Sequence, residues 1–121
     1  IAEFLVKGGK VMFPASTPTF VFNLKTPDVN LVKDIWVTIK CGNLTMTKTY
    51  LENELELDKD NSIVLLKLTE QETTRFMSSE AKIQMKVLFT DDNIAISSVM
   101  RIPIEETLNL KSMKKKEEVS P

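Results

Sequence analysis

Histidine is absent from this sequence of 121 residues, and cysteine occurs once, at Cys41. Without histidine the chain has no Ser-His or Cys-His nucleophile pair, lacks the commonest general base and offers no imidazole ligand to a metal. One cysteine forms no internal disulfide and does not supply the thiolate set of a structural zinc site. Catalysis by carboxylates alone would need a positioned acidic pair, and no such motif is found. The sequence therefore predicts no catalytic residue, no metal site and no cofactor.

Charge imbalance and long apolar runs are also missing. The 16 Lys and Arg nearly balance the 17 Asp and Glu, and the net charge is −1, so no overall field favours nucleic acid or anionic lipid. No apolar run approaches the roughly 20 residues that cross a bilayer. The opening residues IAEFLV are too short and too acidic for a signal peptide. We therefore expect a soluble product made inside the cell, with neither nucleic acid nor membrane as a partner.

The clearest secondary-structure signal lies in residues 81–104, which read AKIQMKVLFTDDNIAISSVMRIPI. The first half alternates apolar and polar residues, as is typical of a strand with one buried side. The central TDDN predicts a tight turn, because Asp and Asn hydrogen-bond their own backbone. In the second half we expect a single apolar face, interrupted only by Ser98. Its members are Ile94, Ile96, Met100, Ile102 and Ile104.

Similar alternation predicts further strands at residues 19–24, 33–41, 44–51 and 62–68, with a short edge strand within 52–57. Residues 29–32 are expected to cross between sheets. Thr69 and Glu72 have the spacing of a capping box, which predicts a helical turn from residue 70 to about residue 77.

These elements favour an all-β fold, because helices do not alternate with strands. About seven strands and one helical turn predict an antiparallel immunoglobulin-like β-sandwich. Residues 1–12 are expected to form an N-terminal arm or first strand, and residues 13–110 the sandwich domain. Residues 111–121, with the run Lys114-Lys115-Lys116, are expected to form a flexible charged tail.

A few residues are candidates for binding, each with a simpler structural interpretation. Trp36 is interpreted as core packing, because a single Trp in a mid-chain sandwich strand is usually well buried; the alternative is a stacking platform for a sugar or base. Cys41 is predicted to be a small buried hydrophobe at a strand end. The threonines of one strand face are predicted to be solvent-exposed, or to contact another copy; they are Thr45, Thr47 and Thr49.

Two acidic loops resemble parts of calcium sites. They are Asp58-x-Asp60-Asn61 and Asp91-Asp92-Asn93. Neither continues with the Gly and distal Glu of an EF-hand loop. We therefore predict that both are turns.

Four segments in this order and spacing resemble a family of small proteins encoded by phages and prophages of low-GC Gram-positive bacteria, often in or near the tail and baseplate genes. The segments are MFPASTPTFVF (residues 12–22), IWVTIK (35–40), LTEQETTRF (68–76) and IQMKVLF (83–89). The resemblance covers residues 12–110. The chain departs from the family by reading Thr69-Glu70-Gln71-Glu72, one residue longer than the family's shorter T-Q-E form.

The resemblance implies a phage structural or tail-associated role and brings no enzymatic residue set with it. We therefore expect a non-enzymatic virion protein of the tail or baseplate, made in the bacterial cytoplasm. It would bind other phage structural proteins and copies of itself through its surfaces. The alternative is a carbohydrate-binding module that recognises the host cell surface. A hydrolase would need residues that the sequence does not provide.

Overall fold

A computed structural model describes residues 2–7, 11–24 and 29–113, with only the backbone described for 2–7. The chain forms two antiparallel sheets. In the first sheet the strand order is β1 (Ala2–Lys7), β2 (Thr19–Leu24), β6 (Ile63–Lys67) and β5 (Glu56–Asp58). In the second sheet the order is β4 (Leu44–Thr49), β3 (Val32–Cys41) and β7 (Glu80–Phe89), and β7 also pairs with β8 (Ile94–Ile96) and β9 (Met100–Pro103).

The all-β sandwich predicted from the sequence is confirmed. The described residues contain nine strands rather than about seven, because the N-terminal segment forms β1 and the last predicted strand is divided into β8 and β9. A 3-10 turn at Val29–Leu31 carries the chain from the first sheet to the second. This is the crossing that we expected between residues 29 and 32.

The core lies between the two sheets and follows the alternation of the strands. Phe20 and Phe22 of β2 face inward and are fully buried, and β6 contributes its own buried aliphatic residues. The second sheet supplies the inward residues of β3 and β7. These are Ile35, Val37, Ile39, Cys41, Ala81, Ile83, Met85 and Val87. Cys41 is buried at the end of β3, as predicted.

Helix α1 (Glu70–Thr74) begins with the predicted capping box. The Thr69 hydroxyl accepts a hydrogen bond from the Glu72 backbone N–H at 3.1 Å, and the Glu72 carboxylate accepts one from the Thr69 N–H at 2.9 Å. The helix ends at Thr74, before the predicted end near residue 77. Phe76 is completely buried in the core, and the chain leaves the helical path where this ring turns inward.

The second half of residues 81–104 differs from the prediction that its apolar residues share one face. Ile94 and Ile96 point outward in β8, whereas Ile102 of β9 points into the core. The reason is an interruption at Ser97, which exchanges hydrogen bonds with Met85 through its own N–H and its side-chain hydroxyl. Because side chains alternate strictly along a strand, an irregularity of this kind reverses which residues face inward.

Both ends of the described chain contact the sandwich. Met12, at the boundary of the predicted arm, is buried in the core and forms a parallel bridge with Ile104. Ser112 and Met113, within the predicted tail, donate hydrogen bonds from a hydroxyl and a backbone N–H to the carboxylate of Glu70 in α1. The remaining residues of the predicted tail, 114–121, lie outside the described residues.

Candidate interaction face

The outward side of the five-stranded sheet, here called the outer face, carries side chains from each of its strands. Strand register places them in rows that run across the sheet. One row contains Thr49, Trp36, Lys86 and Ile96. A second row contains Thr45, Lys40, Lys82 and Arg101. Because successive outward residues of a strand are about 6.6 Å apart, these two rows lie about 13 Å from each other along β3.

Trp36 lies on the outer face with 48% of its surface exposed, so the interpretation of this residue as core packing is wrong. The strand explains the difference, because Ile35 and Val37 face the core and alternation turns Trp36 outward. The sequence pattern already placed Trp36 on the face opposite to Ile35 and Val37. Its usual tendency to be buried was the weaker signal.

The carboxylate of Asp34, itself nearly buried, holds the Trp36 ring in place. It accepts the indole N–H at 2.7 Å, the Ile35 backbone N–H at 2.8 Å and the Leu51 backbone N–H at 3.2 Å. Asp34 occupies this position because the pairing of β3 with β7 shifts between Val32 and Asp34. Since the indole N–H is already satisfied, the exposed part of the ring offers an apolar surface in a fixed orientation.

Four aliphatic side chains share this end of the outer face with Trp36, and Lys86 of β7 stands between Trp36 and Ile96 in their row. Leu88 of β7 is directly opposite Ile94. It is also the diagonal neighbour of Trp36 on one side and of Ile96 on the other, and long side chains in diagonal positions can reach each other. Leu51 follows β4 and is bonded to Asp34 next to the ring. Ile94, Ile96 and Leu51 are 62%, 50% and 63% exposed. We call Trp36, Leu88, Ile94 and Ile96 the apolar cluster.

The other end of the outer face is cationic. Lys40, Lys82 and Arg101 are paired directly with one another across β3, β7 and β9, and we call them the cationic row. In the described part of the chain, the ion pair made by this row joins Arg101 Nε to Glu80 Oε1 at 3.5 Å, and both side chains are exposed. Between the cluster and the row lie Thr38 and Gln84.

The threonines of β4 lie on this face, as expected. Thr45 and Thr47 are exposed, and Thr47 shares a 3.0 Å hydrogen bond with Thr38 of β3. This bond joins the outermost strand to its neighbour on the solvent side. The inward side of β4 carries Leu44 and Met46, which pack against the core, as does Tyr50 immediately after the strand.

The ionisable cluster with shifted pKa values lies away from the outer face. Lys48 of β4 forms ion pairs with Glu72 of α1 and with Glu54, the latter at 3.6 Å. Burial opposes the charge of Lys48, but its bonds to Glu72 and Glu54 outweigh burial and raise its pKa. Burial likewise acts against ionisation of Glu72, while Lys48 and the Thr69 N–H lower the pKa below its usual value. The cluster links the edge strand β4 to the helix and is a structural element.

Both acidic loops form turns, as predicted. Asp58 accepts the backbone N–H groups of Asp60 and Asn61, and bonding to Asn61 lowers the pKa of its carboxyl. Asp91 accepts the N–H of Asn93 at 3.1 Å. Across residues 2–7, 11–24 and 29–113, no group of three Asp, Glu or Cys residues is placed to hold a metal ion. Over the same residues, no helix has the length and apolar character needed to cross a membrane.

A hollow on another side of the molecule lies between the start of β7 and the C-terminal segment. It is lined by Phe76, Met77, Ile104 and Leu110, with Glu105 and Glu106 at its border. The two glutamates are exposed neighbours in the chain. The hollow therefore combines apolar and acidic lining residues.

Three elements of the outer face were not predicted from the sequence. These are the anchor Asp34, the outward isoleucines of β8 and the cationic row. The row depends on the register of three strands, which no local pattern specifies. The Ser97-Ser98 pair was the available signal for the reversal in β8, because Ser competes for backbone hydrogen bonds. Comparison with known protein families finds no matching model, and comparison with curated proteins finds no match.

Proposed function

We propose that the chain is a non-enzymatic structural protein of a phage or prophage virion, associated with the tail or baseplate. It would act by binding neighbouring proteins through the outer face. The resemblance of residues 12–110 to small proteins of phage tail regions supports the virion role. The apolar cluster, which lies around Lys86, is the observation that carries the binding role, because exposed aromatic and aliphatic side chains gathered on one surface mark interaction sites.

The position of Ile94 and Ile96 strengthens this proposal. Both residues could have been directed into the core by unbroken alternation, but the interruption at Ser97 keeps them in solvent. Together with Trp36 they provide the aromatic and aliphatic groups that dominate the centre of protein interfaces. A sheet face with such a cluster fits a role in a symmetric assembly.

Mass spectrometry of purified virions from a producing host tests the virion role. The peptides of this chain are expected in the particles at a stoichiometric level. The double variant Ile94→Ser/Ile96→Ser should be excluded from the particles while its circular dichroism and thermal unfolding stay unchanged. A matched control removes exposed apolar side chains elsewhere, at Leu31 and Met77. Absence of the wild-type chain from the virions, together with a strictly monomeric state at high concentration, would refute the proposal.

A carbohydrate-binding module is the second candidate, and the exposed Trp36 favours it. A fixed aromatic ring on a flat sheet face is a surface on which a sugar ring could stack. The single tyrosine of the chain, Tyr50, packs against the core. Glycan-array binding and pull-down on bacterial cell walls test this candidate. Binding that is lost in a folded Trp36→Ala variant would support it, and equal binding by the variant and the wild type would exclude it.

A further inference from the structure

The cationic row is locally unfavourable as the fold presents it. Lys40 is opposite Lys82, and Lys82 is opposite Arg101. Like charges directly opposite each other in a sheet are destabilising. In the described part of the chain, Glu80 reaches Arg101, and the other outer-face carboxylate, Asp34, is occupied by three N–H donors. Repulsion within a row that the fold does not neutralise lowers the stability of the sheet. An anionic partner would reduce that repulsion.

The chain carries an anionic surface of its own at a different place. Acidic residues occupy every second position of residues 52–60. They are Glu52, Glu54, Glu56, Asp58 and Asp60, with Lys59 as the one cation in the stretch. This stretch leads from β4, at the end of one sheet, to β5, at the end of the other, so it follows one lateral side of the sandwich. We call residues 51–60 the acidic edge, because exposed Leu51 immediately precedes the acidic residues.

Three of the five carboxylates in the acidic edge are available to a partner. Glu54 is engaged by Lys48, and Asp58 is engaged by its own turn. Glu52, Glu56 and Asp60 are exposed. They face a row in which Arg101 is already paired with Glu80, while Lys40 and Lys82 form no ion pair within the described part of the chain.

We propose that the outer face binds a second copy of this chain, with the acidic edge of one copy on the cationic row of the next. The inference rests on the proposed structural function and adds the identity of the neighbour. Leu51 of the arriving copy would lie against the apolar cluster, at the other end of the outer face from the row. Because the two contacting surfaces are different, the interface is head-to-tail and generates a closed ring or an open chain.

A free polyanion is the competing occupant, and the apolar cluster disfavours it. A nucleic-acid backbone or an acidic polysaccharide would neutralise the row, but it has no aliphatic groups to cover Ile94 and Ile96. The acidic edge offers carboxylates and an exposed leucine on one surface. The same chain thus carries both halves of a complementary pair.

Sedimentation velocity of the purified chain over a range of concentrations is the first test. We expect reversible association that weakens as salt rises, because exposed charge pairs are screened. Lys82→Glu should weaken self-association by about tenfold or more, and so should Glu56→Lys, since each leaves like charges facing each other. Lys40→Glu and Glu52→Lys are second variants of the same two surfaces. Arg75→Glu reverses an exposed cation outside the outer face and should leave association unchanged.

Mixing the two reversed variants gives the decisive result. The Lys82→Glu copy retains an intact acidic edge, and the Glu56→Lys copy retains an intact cationic row. Together they are expected to associate again, although each variant alone does so weakly. The intact edge of one copy meets the intact row of the other, and where the two reversed surfaces meet, the facing charges are again opposite in sign.

Three results would overturn the proposal. The wild type could stay monomeric at every concentration, the mixed variants could fail to associate, or the charge reversals could leave wild-type association intact. Heparin is the probe for the competing occupant; heparin binding that depends on Lys82 in a chain that does not self-associate would assign the row to a polyanion. A chain that fails these tests but is still found in purified virions would overturn this proposal and leave the proposed function standing. Absence from the virions as well would overturn both.

Discussion

Replacement of Asp34 by Ala tests how the outer face presents its tryptophan. The change removes the acceptor of three hydrogen bonds, from Ile35 N, Trp36 Nε1 and Leu51 N, at 2.8, 2.7 and 3.2 Å. Hydrogen bonds to a charged group each contribute about 1.5–3 kcal/mol. The donors on Trp36 and Leu51 are only partly buried, so water would replace part of what they lose.

Removal of a buried carboxylate also recovers its desolvation cost, which reduces the net loss. We therefore expect Asp34→Ala to lower the free energy of unfolding by about 2–4 kcal/mol. Asp34→Asn keeps one acceptor oxygen for the Ile35 and Leu51 N–H groups, but its NH2 group is a donor and would face the indole N–H in place of Oδ2. It should cost about 1–3 kcal/mol. This variant thus removes the bond to the ring while the two backbone N–H groups keep an acceptor.

Trp36 is the one tryptophan of the chain, so fluorescence reports on this position directly. Urea titration followed by tryptophan emission gives the free energy of unfolding. In folded Asp34→Ala the emission should shift to longer wavelength and its anisotropy should fall, because the ring is no longer held. The control is Asp91→Ala, which removes two bonds from Asn93 in an exposed turn and should cost less than about 1 kcal/mol without changing the emission.

A specific pair of results would refute this reasoning. If Asp34→Ala unfolded within about 0.5 kcal/mol of the wild type and kept its anisotropy, Asp34 would not be the group that fixes the ring. The apolar cluster would then be a loose surface rather than a preformed one. An interface on the outer face would then lack a fixed aromatic residue.

Three further predictions concern the frame that supports the face. Glu72→Gln should lower stability at neutral pH, and this difference should shrink as pH falls below about 4.5, because the lowered pKa of Glu72 adds stability only while the carboxyl is ionised; a difference independent of pH in urea titrations would contradict it. Phe76→Ala should lose about 3–5 kcal/mol of unfolding free energy, since the ring is fully buried; a loss below about 1 kcal/mol would show that the site collapses. Gly42→Ala should cost about 1–2 kcal/mol because φ is +60° there, while the nearest side-chain atom, at 3.5 Å, leaves room for the methyl group. Gly42→Asn, which tolerates this conformation better, should cost less, and equal losses would indicate a steric cause.

The sequence predicted the strands well where one side of a strand is buried. Ile35, Val37 and Ile39 alternate with polar residues, and burial on one side specifies their orientation. The capping box at Thr69 was equally accessible, because it is a local pattern whose two hydrogen bonds need only residues three positions apart. Local periodicity and local caps thus account for the correct part of the prediction.

The candidate site was largely hidden, because it depends on contacts between distant strands. Lys82 and Arg101 are 19 positions apart in the chain, and only the pairing of β7 with β9 places them together. Ile94 and Ile96 fit an inward pattern equally well, and a side-chain hydroxyl at Ser97 decided their direction. Trp36 was predicted to be buried because tryptophan usually is. Alternation along its own strand instead places it on the outward side.

The reversal at Ser97 also separates residues that are selected for folding from residues that are selected for the exposed surface. Because Ile94 and Ile96 take no part in the interior, mutations at these positions would change the surface that the sheet presents while leaving folding intact. Ile102, six residues further along the same hairpin arm, has no such freedom. A lineage could therefore change its binding partner through β8 alone, on an unchanged scaffold.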